Sequence, residues 1–367
     1  MLSIIYGTRP EYLKILPIIL LLQKESTIPY SVIRIFQHEN LDEPDLLYDT
    51  KLEIISNLEN RLDTLGSQIL EKLGPLIQTS KYVLVQGDTA AAFYAALSAF
   101  QNMVKVIHLE AGLRTYNIEN PYPEEGYRQM ISRIASIHLA PNEVNSDHLR
   151  KEKVFGEIYT VGNTILDLVK SYNVDVREGN SIFITFHRRE NYKYLEIFIE
   201  RLSECINIYT DKVFYWILHP NKNLQATVKE LISKYNCKIT FIEPCSHKEF
   251  LDLARVCFCI LTDSGGIQEE ASFLGKCSIV LRSDTEREQI PFPYIQLCRP
   301  PYSNIIELIK NIPTVLVHKA HHWLILHGRY TCLARSPKCD TCGITEFCKY
   351  FEKEMKKKED KVKEVKI

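Results

Sequence analysis

From Leu2 to about residue 310, short β-branched runs that are almost wholly apolar alternate with stretches whose apolar residues recur at helical spacing. The first runs are Leu2–Tyr6, Ser31–Phe36, Tyr82–Gln86, Val104–Leu109, Ile137–Ala140 and Ile158–Val161. A second series follows at Ser181–Thr185, Val213–Leu218, Lys238–Ile242, Phe258–Leu261 and Ser278–Leu281. Apolar runs of this kind predict parallel strands covered on both faces. The amphipathic stretches Asp88–Phe100, Glu190–Ile208 and Leu224–Tyr235 predict crossover helices. There are too many strands for one six-stranded sheet, so the expected fold is α/β with two Rossmann-like, doubly wound domains. The expected boundaries are 1–168 and 169–309, followed by a distinct segment 310–352 and a charged tail 353–367. Ligands of such sheets bind beyond the carboxyl ends of the strands, here in a cleft between the two domains.

Composition narrows the classes. With 45 Lys+Arg against 46 Asp+Glu, the net charge of −1 argues against nucleic-acid binding through overall charge. A 45% hydrophobic content excludes disorder as the main state, and no apolar run has the roughly 20 residues of a membrane span. No basic segment precedes the first strand, so a cytoplasmic protein is expected. Seven of the 11 cysteines, at 205, 237, 245, 257, 259, 277 and 298, sit among apolar residues and read as buried thiols. The other four, Cys332, Cys339, Cys342 and Cys348, crowd one short segment in the manner of a metal site.

Polar motifs mark where strands should give way to helices. Gly7-Thr8-Arg9-Pro10-Glu11 opens a helix carrying Lys14, so a glycine turn with two cations stands ready for an anion. Asp88, in Gln86-Gly87-Asp88-Thr89, reads equally well as a helix N-cap or as a site carboxylate. Glu110 lies in His108-Leu109-Glu110-Ala111-Gly112-Leu113-Arg114-Thr115, and Glu124 follows with Arg128 one turn on, a spacing that also suits a surface pair. Three carboxylates at three strand ends would be gathered at one cleft by the sheet topology. In the second half, His187 ends a strand, and Ser264-Gly265-Gly266 at a helix start forms a diphosphate cradle. Glu270 lies a turn or so further on, where a carboxylate can hold ribose hydroxyls, and Arg287 is a further cation for a nucleotide.

Taken together, Gly-Thr-Arg-Pro-Glu, Gly-Asp-Thr, Glu-Ala-Gly-Leu-Arg-Thr, Pro-Glu-Glu, Val-Gly-Asn-Thr, His-Arg-Arg-Glu-Asn and Asp-Ser-Gly-Gly-Ile-Gln-Glu-Glu resemble, in order, the motifs of UDP-N-acetylglucosamine 2-epimerases over about residues 1–300. The resemblance implies a GT-B-like fold with a UDP-sugar between the domains, and inversion at the second sugar carbon by elimination and re-addition of UDP through 2-acetamidoglucal. It implies Asp88, Glu110, Glu124 and His187 as the catalytic set. Arg9, Lys14, Arg114, Phe250, Ser264, Gly265, Gly266, Glu270 and Arg287 would bind the UDP-sugar. It also implies a homodimer and no metal or nicotinamide for the reaction. A hydrolysing epimerase, releasing N-acetylmannosamine and UDP, shares most of these motifs. Gln37-His38 is kept but the residues beyond it depart from the pattern, as do the helices expected after Arg287.

The tail carries a second resemblance. Ala320–Cys332 is similar to the last helix of endonuclease III, and Cys332-x6-Cys339-x2-Cys342-x5-Cys348 to its iron–sulfur loop. The fold expected there is a small helix and four-cysteine loop holding a 4Fe-4S cluster, with structural zinc as the runner-up. No helix–hairpin–helix of the Leu-Pro-Gly-Val-Gly type is present, so base excision is not implied. A DNA-binding iron–sulfur protein using Arg329, Arg335 and Lys338, and an inactive fusion, are the rival readings.

Overall fold

A computed structural model describes residues 1–25, 27–36, 46–55, 60–173, 175–283 and 294–312. Two parallel sheets form its framework. The first comprises β1 (Leu2–Tyr6), β2 (Tyr30–Phe36), β3 (Thr50–Glu53), β4 (Tyr82–Gln86), β5 (Lys105–Leu109), β6 (Ile137–Ala140) and β7 (Glu157–Thr160), in the order β3-β2-β1-β4-β5-β6-β7. The second comprises β8 (Ser181–Thr185), β9 (Val213–Ile217), β10 (Ile239–Ile242), β11 (Cys257–Thr262), β12 (Cys277–Val280) and β13 (Ile295–Leu297), in the order β10-β9-β8-β11-β12-β13. All strand pairs are parallel, so each sheet is doubly wound and its order reverses once, between β1 and β4 and between β8 and β11.

The apolar runs of the central strands form because they are packed on both sides, whereas the edge strand β7 is mostly exposed. Ile5, Ile33, Ile35, Val83, Val85 and Val106 meet α2 (Arg61–Ile77) and α3 (Ala90–Gln101) in one core cluster. Ile4, Tyr6, Val32 and Leu84 meet α1 (Arg9–Glu25) in another. Strands β3 and β13 escape the sequence pattern because they are edge strands of four and three residues, too short to show a period. The helix expected over Glu190–Ile208 begins late: Arg189–Tyr194 is a 3-10 turn and α7 runs from Leu195 to Ile208. Of the seven scattered cysteines, Cys205, Cys257, Cys259, Cys277 and Cys298 are buried, while Cys237 and Cys245 are only partly so. Burial pushes the Cys205, Cys257 and Cys298 thiols up to about 12.

Between the first-sheet helices α4 (Glu124–Ile134) and α5 (Glu143–Lys151) and the second sheet runs α6 (Thr164–Ser171), which packs on α1 and on α10 (Gly265–Phe273). The second sheet is covered by α7, α8 (Lys222–Lys234), α9 (His247–Ala254), α10 and α11 (Ile305–Lys310). Ile305, Ile309 and Ile312 close the large core built around Trp216, Phe198 and Phe186. Among the described residues no helix is long and apolar enough to cross a membrane.

Candidate active site

Both topological switch points carry polar turns. At the first, β1 ends in Gly7-Thr8 and the turn is held by Glu11, whose Oε2 accepts from the backbone N–H of Gly7 (2.9 Å) and of Thr8 (2.6 Å). The other oxygen of Glu11 accepts from the Thr89 hydroxyl at 2.5 Å, tying this turn to the start of α3. Burial pushes the Glu11 carboxyl up, and these hydrogen bonds pull against it. Thr89, not Asp88, caps α3: its Oγ1 accepts from the Ala92 N–H. That frees the Asp88 carboxylate to face α4, where its Oδ2 accepts from Arg128 Nε at 2.6 Å. Arg128 is buried rather than on the surface, and its Nη1 also reaches the fully buried Glu125 at 3.0 Å. Glu125 in turn accepts from the N–H groups of Thr115 and Tyr116, which ties the loop after β5 to α4. Glu124, at the first position of α4, is half-buried.

Glu110 stands just past β5 with φ of 65°, a left-handed backbone that swings its side chain back over the sheet edge. Its Oε2 accepts from Lys14 Nζ at 2.5 Å and from Gln86 Nε2. Lys14 and Glu110, with Gly162, Asn163 and Thr164, line a small pocket between α1, β5 and α6. His108, two residues earlier, is buried and bonds the Gly87 carbonyl through Nε2 at 2.8 Å, and burial lowers its pKa from 6.5 to about 3. It is therefore a neutral brace under the Gly87 turn, where φ is 73°.

At the second switch point Asp263, wholly buried, follows β11 and organises the turn after β8. It accepts from the backbone N–H of His187 (3.0 and 3.1 Å) and of Arg188 (2.8 Å) and from Asn191 Nδ2 (3.2 Å). The His187 ring is 35% exposed, stacks on His219, and places Nδ1 3.3 Å from Asp263 Oδ1. Ser264 is the N-cap of α10 but makes no capping bond with its side chain, and Gly265 and Gly266 form the first turn. Glu270, four residues beyond Gly266, accepts or shares a proton with His247 Nε2 at 3.0 Å. The remaining His247 nitrogen, Nδ1, is buried with no hydrogen-bond partner among the described residues.

The two edges meet. Asn163 Nδ2 donates to Glu269 on α10 and Asn120 Nδ2 lies 3.4 Å from Ser283 Oγ, while within the first half the Thr164 hydroxyl donates to the Lys14 carbonyl at 2.5 Å. The Arg9 charge acts on Tyr172, Cys245 and Glu249, which places it against the second half of the molecule. Asp88, Glu110, Lys14, Arg9, His187, Ser264, Gly265, Gly266 and Glu270 thus all stand at the carboxyl edges of the sheets.

Two expected ligand contacts sit elsewhere. Arg114 is engaged inside the first half: Nε and Nη2 donate to Glu152, Nη2 also to Ser132 and Nη1 to the Leu113 carbonyl. It clamps α4 to α5 instead of facing the cleft. Phe250 is 8% exposed and packs with Leu251, Ala254 and Ile260 in the core under α9. Arg287 and the four clustered cysteines lie outside the described residues, as do the segment after Gln37-His38 and the chain beyond residue 312. Among the described residues no group of three or more His, Cys, Asp or Glu side chains is placed to hold a metal ion. Glu11, Gln86, Glu125, Asp263 and His247 were not singled out from the sequence, although all but His247 lie within the quoted motifs.

A family model described as UDP-N-acetylglucosamine 2-epimerase matches residues 27–320. The chain belongs to the UDP-N-acetylglucosamine 2-epimerase family. It is 35% identical over 332 residues to the UDP-N-acetylglucosamine 2-epimerase of Neisseria meningitidis, covering 83% of this chain and 88% of that one. With the Bacillus subtilis enzyme of the same name it shares 35% identity over 334 residues, 84% of this chain and 86% of the other. The crystal structure of the N. meningitidis epimerase bound to UDP-GlcNAc superimposes with a TM-score of 0.76 at 29% identity, covering 89% of this chain and 99% of that chain. An epimerase of Methanocaldococcus jannaschii in complex with UDP-GlcNAc and UDP gives 0.71 at 29% identity, covering 90% and 99%. Membership of this epimerase family fits the doubly wound pair of sheets and the shared cleft edge. A second model, the iron–sulfur binding domain of endonuclease III, matches residues 332–348.

Proposed function

We propose that the protein is a UDP-N-acetylglucosamine 2-epimerase of the non-hydrolysing type, interconverting UDP-GlcNAc and UDP-ManNAc. The observation that supports this reading is the placing of the Glu110–Lys14 pair and Asp88 at the strand ends of one sheet, and of His187 and the start of α10 at the strand ends of the other, with Asn163 and Glu269 linking the two halves. The α10 N-terminus and Arg9 supply N–H donors and positive charge for a diphosphate, which is also the leaving group of the reaction. Lys14, Ser264, Gly265, Gly266 and Arg287 belong to the same binding set, and Glu270, oriented by His247, holds the ribose. In the forward direction a base drawn from Asp88, Glu110, Glu124 and His187 removes the proton at C2 while the C1–O bond to UDP breaks, giving 2-acetamidoglucal and UDP. Re-addition of UDP to C1, with a proton delivered to the opposite face of C2, gives the epimer. The contact between Asn163 and Glu269 ties the halves together, which helps to keep water from the intermediate.

Incubation with UDP-GlcNAc in heavy water, followed by NMR, tests this. UDP-ManNAc deuterated at C2 is the expected product. Free N-acetylmannosamine with UDP identifies the hydrolysing type, and an unchanged substrate with folded protein overturns the reading.

For the tail we propose that Cys332, Cys339, Cys342 and Cys348 hold an iron–sulfur cluster, supported by their spacing and by the family match over 332–348. Four thiolates suit zinc as well, so iron, sulfide and zinc content with the visible spectrum decide the metal, and salt-dependent DNA binding would reveal a separate role. A homodimer in solution and a cytoplasmic setting complete the proposal, the first read out by light scattering.

A further inference from the structure

We infer that Asp263 is the positioning residue of the cleft histidine: it holds the Nδ1–H of His187 and leaves Nε2 as the proton-accepting atom that faces the sugar. The inference rests on the epimerase reading for its chemistry, but its geometry stands on the contacts around one carboxylate. Asp263 has no exposed surface, and each of its oxygens has a defined task. Oδ2 accepts from the N–H groups of His187 and Arg188 and from Asn191 Nδ2, at 3.0, 2.8 and 3.2 Å. Oδ1 accepts from the His187 N–H at 3.1 Å and is the oxygen facing His187 Nδ1 at 3.3 Å.

A buried carboxylate accepts hydrogen bonds and cannot donate one while ionised, so the ring nitrogen beside it has to carry the proton. The same carboxylate fixes the backbone turn and stands 3.3 Å from the ring nitrogen. His219 stacks on one face with ring centroids 5.9 Å apart, and the Tyr192 hydroxyl donates to the His187 carbonyl at 3.1 Å. The stacking bears on the tilt of the ring and the Tyr192 bond on its backbone; the charge nearest Nδ1 is that of Asp263. In the reaction, Nε2 takes a proton from the sugar or its hydroxyl, and the carboxylate stabilises the resulting imidazolium without itself being protonated. When the proton returns, the neutral Nδ1–H tautomer is restored.

The substitution Asp263→Asn separates this role from a purely structural one. An Asn that points its oxygen where Oδ2 stood keeps the bonds from His187 N–H, Arg188 N–H and Asn191, while its NH2 replaces Oδ1 and donates to Nδ1. The turn survives and the tautomer inverts. The expected results are a fall in kcat of roughly 100-fold or more, near-unchanged UDP affinity, and loss of the pH-profile limb that His187→Gln also removes. Imidazole nitrogen shifts of the 15N-labelled wild-type protein should show His187 protonated at Nδ1 and bare at Nε2, and the reverse in Asp263→Asn. A wild-type His187 protonated at Nε2 overturns the inference even if the variant fails to fold. So does a variant that keeps the wild-type tautomer and pH profile. Because the nitrogen shifts are read without turnover, an inactive wild-type protein would sink the epimerase reading and leave the positioning of His187 measurable.

Discussion

Helices α3 and α10 begin at equivalent places, each after the strand beyond its sheet's switch point, yet their first turns are treated in opposite ways. In the first, Thr89 caps α3, and its hydroxyl also binds Glu11, so the helix start is closed by groups of its own half. In the second, Ser264 caps nothing with its side chain, and two glycines follow, so the first N–H groups of α10 lack a side-chain cap. The carboxylates do not divide by half: Glu110 is held by Lys14 and Asp88 by Arg128, whereas Glu11 of the first half and Asp263 of the second are held by backbone N–H groups, with a hydroxyl for Glu11 and an amide for Asp263. A helix start with its cap filled has a donor satisfied by its own half; one without a side-chain cap keeps N–H groups available to an anion.

The comparison can be broken at its strongest point first. Glu110→Gln should lower kcat by on the order of 10²–10⁴-fold and also lower the melting temperature, because Lys14 loses its counter-charge, and a folded variant with normal turnover would remove the first half from the chemistry. Arg114→Met tests the other kind of buried charge. It strands Glu152 and should cost about 3 kcal/mol in denaturant unfolding, with UDP affinity unaltered because Arg114 does not face the cleft. A weakened affinity without loss of stability would restore its expected role as a ligand contact.

Acid unfolding offers a third measure. The His108 pKa is depressed from 6.5 in the unfolded chain to about 3 in the fold, so the unfolded state binds its proton first. The contribution is intact above pH 6.5 and is lost as the pH falls toward 3, at up to about 1.4 kcal/mol per pH unit. His108→Gln should flatten that slope as read by denaturant midpoints. The smallest effect separates the two helix starts directly. Thr89→Ala should cost about 1 kcal/mol, and Ser264→Ala less than about 0.5 kcal/mol while weakening UDP binding severalfold in calorimetry.

The strands that carry the site were legible because a buried parallel strand must be apolar throughout, and Leu2–Tyr6, Tyr82–Gln86, Ile137–Ala140 and Ser181–Thr185 have the expected bounds. Edge strands β3 and β13 lack that constraint and left no pattern. The site motifs were legible too, since glycines and charged residues at strand ends interrupt apolar runs. What a motif could not disclose was which polar side chain faces which. Asp88 and Thr89 are neighbours that can both cap a helix, Asp the better by preference, and Arg114 and Arg128 are two arginines flanking the same loop.

By itself the amino-acid sequence determined the α/β class, the doubly wound halves and the strand-end positions of Asp88, Glu110, His187 and Ser264, because periodicity and turn chemistry are local properties of the chain. Only the tertiary structure decided that Arg114 clamps Glu152 while Arg128 serves Asp88, and that Asp263 answers for His187 from 76 residues away. The reason is physical: a buried charge is stable only beside its partner, and partners brought together by sheet topology leave no trace in sequence spacing.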